Sequence, residues 1–233
     1  MIRHPSPVTR HGYFVTGTDT EVGKTVVACG LLAALAAAGK KAVGMKPVAC
    51  GGESRADFIM NEDVERLIAA SNVDADRADV NPYCFAPPIA PHIAARQAGV
   101  TIEIDKIKRS FDVLARLADA VVVEGVGGFL VPLGPGVDTA QLASRLALPV
   151  VLVVGMRLGC LNHALLTADA VRRSGLELAG WVANHVDPGM SVAEDNVQAL
   201  DERLGAPRMG RISFVRNPDP RIVAMSLRIP DLG

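Results

Sequence analysis

The segment Gly17-Thr18-Asp19-Thr20-Glu21-Val22-Gly23-Lys24-Thr25 places two glycines, an amine and a hydroxyl at a spacing that suits phosphate oxygens. Glycines let the backbone pass close to a polyphosphate. The Lys24 amine can reach its β- and γ-phosphates, and the Thr25 hydroxyl can ligate Mg²⁺. The segment therefore reads as a site for a nucleoside triphosphate with magnesium. The general spacing would want glycine at position 18, where this chain has Thr18, so the loop is one residue longer.

Magnesium needs more oxygen ligands than one threonine. Glu124 closes the apolar run Ala120-Val121-Val122-Val123 and is followed by Gly125-Val126-Gly127-Gly128. A carboxylate there is a candidate metal ligand, and a solvated strand end is the plain alternative. Asp63 is less distinctive, since acidic residues are common at helix starts. Lys46 follows the apolar run Ala42-Met45 and precedes Pro47. It is a candidate charge clamp beside the phosphates, because ligands of open α/β sheets collect at the carboxyl ends of the strands. The ordinary alternative is a surface lysine.

The elements needed to position these groups are legible as alternating segments. Strand-like runs occur at Tyr13-Thr16, Ala42-Met45, Ala120-Val123, Val150-Val154, Ala179-Ala183 and, more weakly, Met209-Ile212. Most are continuously apolar, as suits strands covered on both faces. Helical patterns fall at Lys24-Ala38, Asn61-Ala70, Ile104-Leu117, Thr139-Leu146, Asn162-Arg173 and Val192-Leu204, several of them stopped by glycine. Together they predict an α/β fold, one domain over residues 1–233, with a mostly parallel central sheet flanked by helices. The Pro-rich stretch from Asn81 to Pro91 reads as a structured loop.

Bulk properties narrow the partners. The chain has 233 residues, 49% hydrophobic and only 4% aromatic, and a formal net charge of -1. Such a charge gives no field for a nucleic acid or an anionic membrane, so small molecules are the expected partners. Leu146 to Met156 is the longest apolar run, contains Pro149, and is too short to span a bilayer. The four cysteines form no Cys-x-x-Cys pair, which fits a reducing, cytoplasmic setting. Residues Met1 to His11 read as a loose leader rather than a secretory signal.

Several motifs, taken in order, resemble dethiobiotin synthetases: Gly17 to Thr25, Lys46-Pro47-Val48-Ala49, Asn81-Pro82-Tyr83, Pro91-His92, Val123 to Gly128, and Gly180-Trp181-Val182-Ala183-Asn184. The longer loop is a feature of that family too. The resemblance runs from about Tyr13 to about Pro220. It implies a homodimer of a phosphate-loop fold that closes the ureido ring of dethiobiotin from 7,8-diaminononanoate, carbon dioxide (or bicarbonate as its source) and ATP.

By that resemblance Lys24 and Lys46 are catalytic, and Thr25, Asp63 and Glu124 hold Mg²⁺. ATP contacts come from Glu21, Val22, Gly23, Lys24, Thr25 and Val26, from Gly125, Val126 and Gly127 beside Glu124, from Asn184 and His185 at the adenine, and from Ser213, Phe214 and Val215. Thr20 and Cys50 face the substrate. Gly159, Cys160, Leu161 and Asn162 resemble a helix start that takes the substrate carboxylate from the partner subunit. Cys50 stands where the family often has serine, Ser213 where proline is common, and the stretch from Asp187 to Asn196 matches poorly. Three other readings compete: an ATPase switch that positions DNA or division machinery, an amide ligase acting on a corrin carboxylate, and a plain nucleotide-binding module. The switch type carries a lysine near the loop start, where this chain has Thr18.

Overall fold

The computed structural model describes residues 12–229; the predicted leader lies outside them. The elements, in chain order, are β1 (Gly12–Gly17), α1 (Lys24–Ala37), β2 (Ala42–Met45), β3 (Val48–Cys50), β4 (Glu53–Ser54), β5 (Ile59–Met60), α2 (Glu62–Ala70), α3 (Arg77–Val80), β6 (Tyr83–Phe85), α4 (Pro91–Gln97) and α5 (Ile104–Leu117). They continue with β7 (Ala120–Glu124), β8 (Pro132–Gly134), β9 (Val137–Asp138), α6 (Thr139–Leu146), β10 (Val150–Met156), α7 (Cys160–Arg173), β11 (Leu178–His185), α8 (Ala193–Arg203), β12 (Arg208–Ile212) and α9 (Pro220–Met225).

Six strands form the central sheet in the order β12-β11-β10-β1-β7-β2, and every pairing is parallel. Successive side chains of a strand face opposite sides, so a sheet covered twice needs apolar residues at every position. The continuous apolar runs of the sequence have this origin. On one face Tyr13, Val15, Val122 and Val153 pack with Val27, Leu31 and Leu35 of α1 and Val223 of α9. On the other, Phe14, Val123, Leu152 and Trp181 pack with Ile107 and Leu114 of α5, Leu142 of α6, Ala168 of α7 and Leu200 of α8.

The helices expected at Ile104-Leu117 and Thr139-Leu146 form with those boundaries, and α6 carries a capping box between Asp138 and Gln141. Helix α7 starts at Cys160, two residues earlier than expected, because Gly159 turns into it from a left-handed conformation. The stretch expected to be a structured loop contains β6, which pairs in parallel with β3 beside the main sheet. Helices α3, α4 and α9, absent from the sequence reading, are short, and each starts at a cap or a proline. Asp76 and Asp219 cap the first turns of α3 and α9, while Pro91 and Pro220 occupy the first turns of α4 and α9.

Candidate active site

The glycine-rich loop leaves the carboxyl end of the central strand β1 and closes onto α1. Thr18 N–H donates to the Val153 carbonyl of the adjacent strand at 3.0 Å, which ties the loop's first turn to the sheet. Gly23 has φ +87°, and a Cβ there would lie 2.1 Å from the Asn184 amide nitrogen. Both the backbone conformation and the space therefore require glycine. As the N-cap of α1, Gly23 offers no side chain to the first turn, so the opening N–H groups of the helix are left for an anion.

Register brings the remaining charges to the same edge. Val15 of β1 lies opposite Glu124 of β7, and Met45 of β2 opposite Val123. Glu124 thus emerges one strand from the loop, and Lys46 beside it on the next strand out. Lys46 is held from behind: its N–H donates to the Val80 carbonyl at 2.8 Å, and Asn81 donates its side-chain amide to the Lys46 carbonyl. Asp63 arrives from α2, where Asn61 caps the helix by accepting from the Asp63 and Val64 N–H groups.

At the centre, Lys46 and Glu124 are buried at 3% and 1% exposure and form an ion pair. The Lys46 ammonium also lies 3.0 Å from Asp63 Oδ2. Thr25 Oγ1 sits 2.8 Å from Asp63 Oδ1 and 2.9 Å from Glu124 Oε1, although a hydroxyl has one proton to donate. Glu124 Oε2 is buried with no hydrogen-bond partner among the described residues. A threonine oxygen and two carboxylates, one of them with an orphaned oxygen, make an all-oxygen set of the kind a magnesium ion completes with water and phosphate oxygens.

Burial acts on these groups in opposite directions. It pushes the Glu124 carboxyl above the usual range, only partly offset by Lys46. For Lys46, burial lowers the pKa but the two carboxylates outweigh it and raise it. At Asp63, burial is overcome by Lys46 and the Thr25 hydroxyl, and the pKa falls. Lys24 has fewer compensating contacts. Burial, with the neighbouring Lys46 charge, brings its pKa from 10.5 to about 8, and its ammonium rests on the Asp19 carbonyl at 2.9 Å.

A cleft of about 740 Å³ opens over these groups. Of the residues expected at the site, it is lined by Thr20, Glu21, Gly23, Lys24, Thr25, Val26, Lys46, Cys50, Asp63, Glu124, Val126 and Gly127. Burial and the neighbouring Cys84 raise the Cys50 thiol to about 11, so it meets the cleft as a neutral S–H. Val22 and Gly125 lie behind the lining, Gly125 closely against the Phe14 ring. Asn184 reaches the loop from β11 by donating to the Val22 carbonyl at 2.8 Å.

His185 accepts from Arg211 Nε at 2.9 Å, and its pKa is lowered by partial burial and by that guanidinium. Ser213, Phe214 and Val215 follow β12, exposed and away from the cleft lining. Gly159, Cys160, Leu161 and Asn162 sit at the start of α7, also outside the lining of this chain's cleft. The sequence reading missed Arg66, which lines the cleft one helical turn after Asp63, and the apolar wall of Pro88, Ile89 and Val131. The i,i+3 spacing from Asp63 could have flagged Arg66. Nothing local marks the wall.

A family model described as an AAA domain matches residues 11–220. The ATP-dependent dethiobiotin synthetase BioD of Aromatoleum aromaticum is 54% identical over 218 residues, covering 94% of this chain and 97% of that protein. The enzyme of the same name from Nitrosospira multiformis is 54% identical over 222 residues, covering 95% and 96%. Among solved structures, the MinD cell division protein of Aquifex aeolicus superposes with a TM-score of 0.54 at 18% identity, covering 87% of this chain and 81% of that one. The septum site-determining protein MinD of Pyrococcus horikoshii, complexed with Mg-ADP, gives 0.52 at 16%, covering 88% and 81%. The structural likenesses establish the phosphate-loop fold, whereas identity above half over nearly full length establishes kinship: the chain belongs to the ATP-dependent dethiobiotin synthetase family.

Proposed function

We propose that this protein closes the ureido ring of dethiobiotin from 7,8-diaminononanoate, carbon dioxide and ATP, releasing ADP and phosphate. The observation that carries the reading is Lys46, buried between Glu124 and Asp63 at the mouth of the nucleotide loop, with β7 between its strand and the one that leads to Lys24. One substrate amine takes up carbon dioxide and loses a proton to become a carbamate. A carbamate oxygen attacks the γ-phosphorus and ADP leaves. The second amine then attacks the carbamoyl carbon, phosphate departs, and the ring is closed.

No step needs a covalent enzyme nucleophile; each needs fixed positive charge where negative charge gathers. Lys24 neutralises the β- and γ-phosphates. Lys46 holds the carbamate oxygen against the phosphoryl group. Thr25, Asp63 and Glu124 hold Mg²⁺, which when bound supplies a Lewis acid for the phosphate oxygens. The Thr20 hydroxyl and Cys50 flank the amines, and the wall of Pro88, Ile89 and Val131 suits an unbranched alkyl chain. Asn184, beneath Gly23, and the exposed Ser213–Val215 segment form the adenine end.

We also propose a homodimer in which the start of α7 receives the carboxylate of the partner's substrate. Support comes from Leu158, 95% exposed immediately before that helix, with Leu130 and Leu166 also exposed. The four cysteines are free thiols, in keeping with work in the cytoplasm, and no helix among the described residues is long and apolar enough to cross a membrane. The deciding experiment measures ADP release by the purified chain with each reactant withheld in turn. Release should require both the diamine and bicarbonate, and equal release without the diamine sinks the proposal.

A further inference from the structure

Arg157 belongs to none of the motifs that carry the chemistry. It follows β10 directly and opens the turn that Gly159 closes, at φ +93°, into α7. The turn is tightened by the Cys160 N–H, which donates to the Arg157 carbonyl at 3.0 Å. The Arg157 guanidinium reaches the nucleotide loop, where its Nη2 donates to Asp19 Oδ2 at 2.6 Å.

Asp19 is the residue on which the tip of the nucleotide loop converges. Its Oδ1 accepts from the Thr20 N–H at 2.7 Å, and its carbonyl accepts from the Lys24 ammonium at 2.9 Å. Two residues on, Glu21 occupies the left-handed region at φ +59°. A non-glycine residue stays there only where its surroundings over-determine the backbone. The bonds made by Asp19 are part of that determination; the side-chain bond to Arg157 anchors the tip to the end of β10, as Asn184 of β11 anchors the loop further on at Val22. The loop's base is fixed separately, by Thr18 on β10.

We propose that Arg157 is a positioning residue for the nucleotide loop. Through Asp19 it holds the loop tip in the shape that presents Thr20 and Lys24 to their ligands, and it ties that tip to the turn that starts α7. The inference rests on the ring-closing reading above for the identity of the ligands. Both members of the pair are about half exposed, at 41% and 48%, so the ion pair adds little to global stability. Its effect is on the loop, and kinetics will register it where thermal unfolding does not.

The test is a cycle of Arg157→Met, Arg157→Lys, Asp19→Asn and the double variant Asp19→Asn/Arg157→Met, all in the full chain. For Arg157→Met, KM for ATP should rise about ten-fold and KM for the diamine several-fold, with a smaller fall in kcat and an unchanged melting temperature. Asp19→Asn should match it, and the double variant should be no worse than either single, because both remove one interaction. Arg157→Lys, which keeps the charge, should return to within about three-fold of the parent.

Losses that add in the double variant overturn the proposal. So does a rise in KM for Arg157→Met with none for Asp19→Asn, which would make Arg157 a direct phosphate ligand, and so does an Arg157→Met variant that behaves as the parent. A parent protein that shows no diamine-dependent turnover defeats the ring-closing reading instead. The same cycle run on ATP affinity by calorimetry then decides the role of Arg157 alone.

Discussion

Lys24 and Lys46 are both buried ammonium groups at one cleft, yet their surroundings give them different protonation behaviour. Lys46 is clamped by two carboxylates and stays charged across the physiological range. Lys24, with a pKa of about 8, begins to lose its proton in the free protein just above neutrality. A bound triphosphate stabilises the ammonium form, so the pKa rises on binding and a proton is taken up above pH 8. The sign follows: ATP affinity is flat below about pH 8 and weakens above it by up to about ten-fold per pH unit. Calorimetry in buffers of different ionisation enthalpy will read the proton uptake directly. Lys46→Gln should lower kcat by about a hundred-fold or more, the scale of losing one preorganised charge contact, while ATP affinity changes little. Equal losses in turnover and in ATP affinity, from single-turnover and equilibrium binding measurements, would reduce Lys46 to a nucleotide contact.

Among the elements, α2 shows how a short helix serves the site. Four of its nine residues are charged, and its place is fixed by Val64 and Leu67 beneath it and by the Asn61 cap at its start. Asn61 also reaches across to the Cys50 carbonyl at 3.3 Å, so one side chain positions both Asp63 and the strand that carries Cys50. Asn61→Ala should cost about 1 kcal/mol of stability, as cap removal does. It should also raise the Mg²⁺ concentration needed for half-maximal activity; chemical denaturation and a magnesium titration check the two parts. The helix and its acidic start were legible in the sequence because a cap and an acidic first turn are local signals. The partnership of Asp63 with Lys46 was not, since it depends on β2 and α2 converging through the intervening hairpin. For the same reason the β3–β6 pair, joined across residues that look like loop, escaped the pattern, and the Arg157–Asp19 contact spans two segments with no shared motif. The loop itself was plain because glycine, lysine and threonine at fixed spacing are needed together within nine residues.

Across the whole molecule, the class of fold was readable while the order of strands was not. Continuous apolar runs announce a sheet covered on both faces, but they carry no label for who pairs with whom. The insertion of β7 between β1 and β2 is what sets Glu124 between the nucleotide loop and Lys46. Likeness to MinD proteins at 16–18% identity reaches this scaffold and stops there. Chemistry is settled by side chains at the strand ends, so one architecture serves unrelated tasks.

The central place of β1 has a consequence during synthesis. This strand emerges first among the described elements, yet its neighbours on either side are β7 and β10, so Val15 has no partner until Glu124 has left the ribosome and Phe14 none on its other edge until Val150 has. Until then an apolar strand with both hydrogen-bonding edges bare is held by the growing polypeptide. Such a strand is prone to mispairing, and pairings of long sequence separation form slowly. The nucleotide loop therefore cannot be shaped early by its own local sequence. It becomes a binding site late, when the nascent chain has delivered both flanking strands, and the cell's chaperones have most to protect in the interval before that.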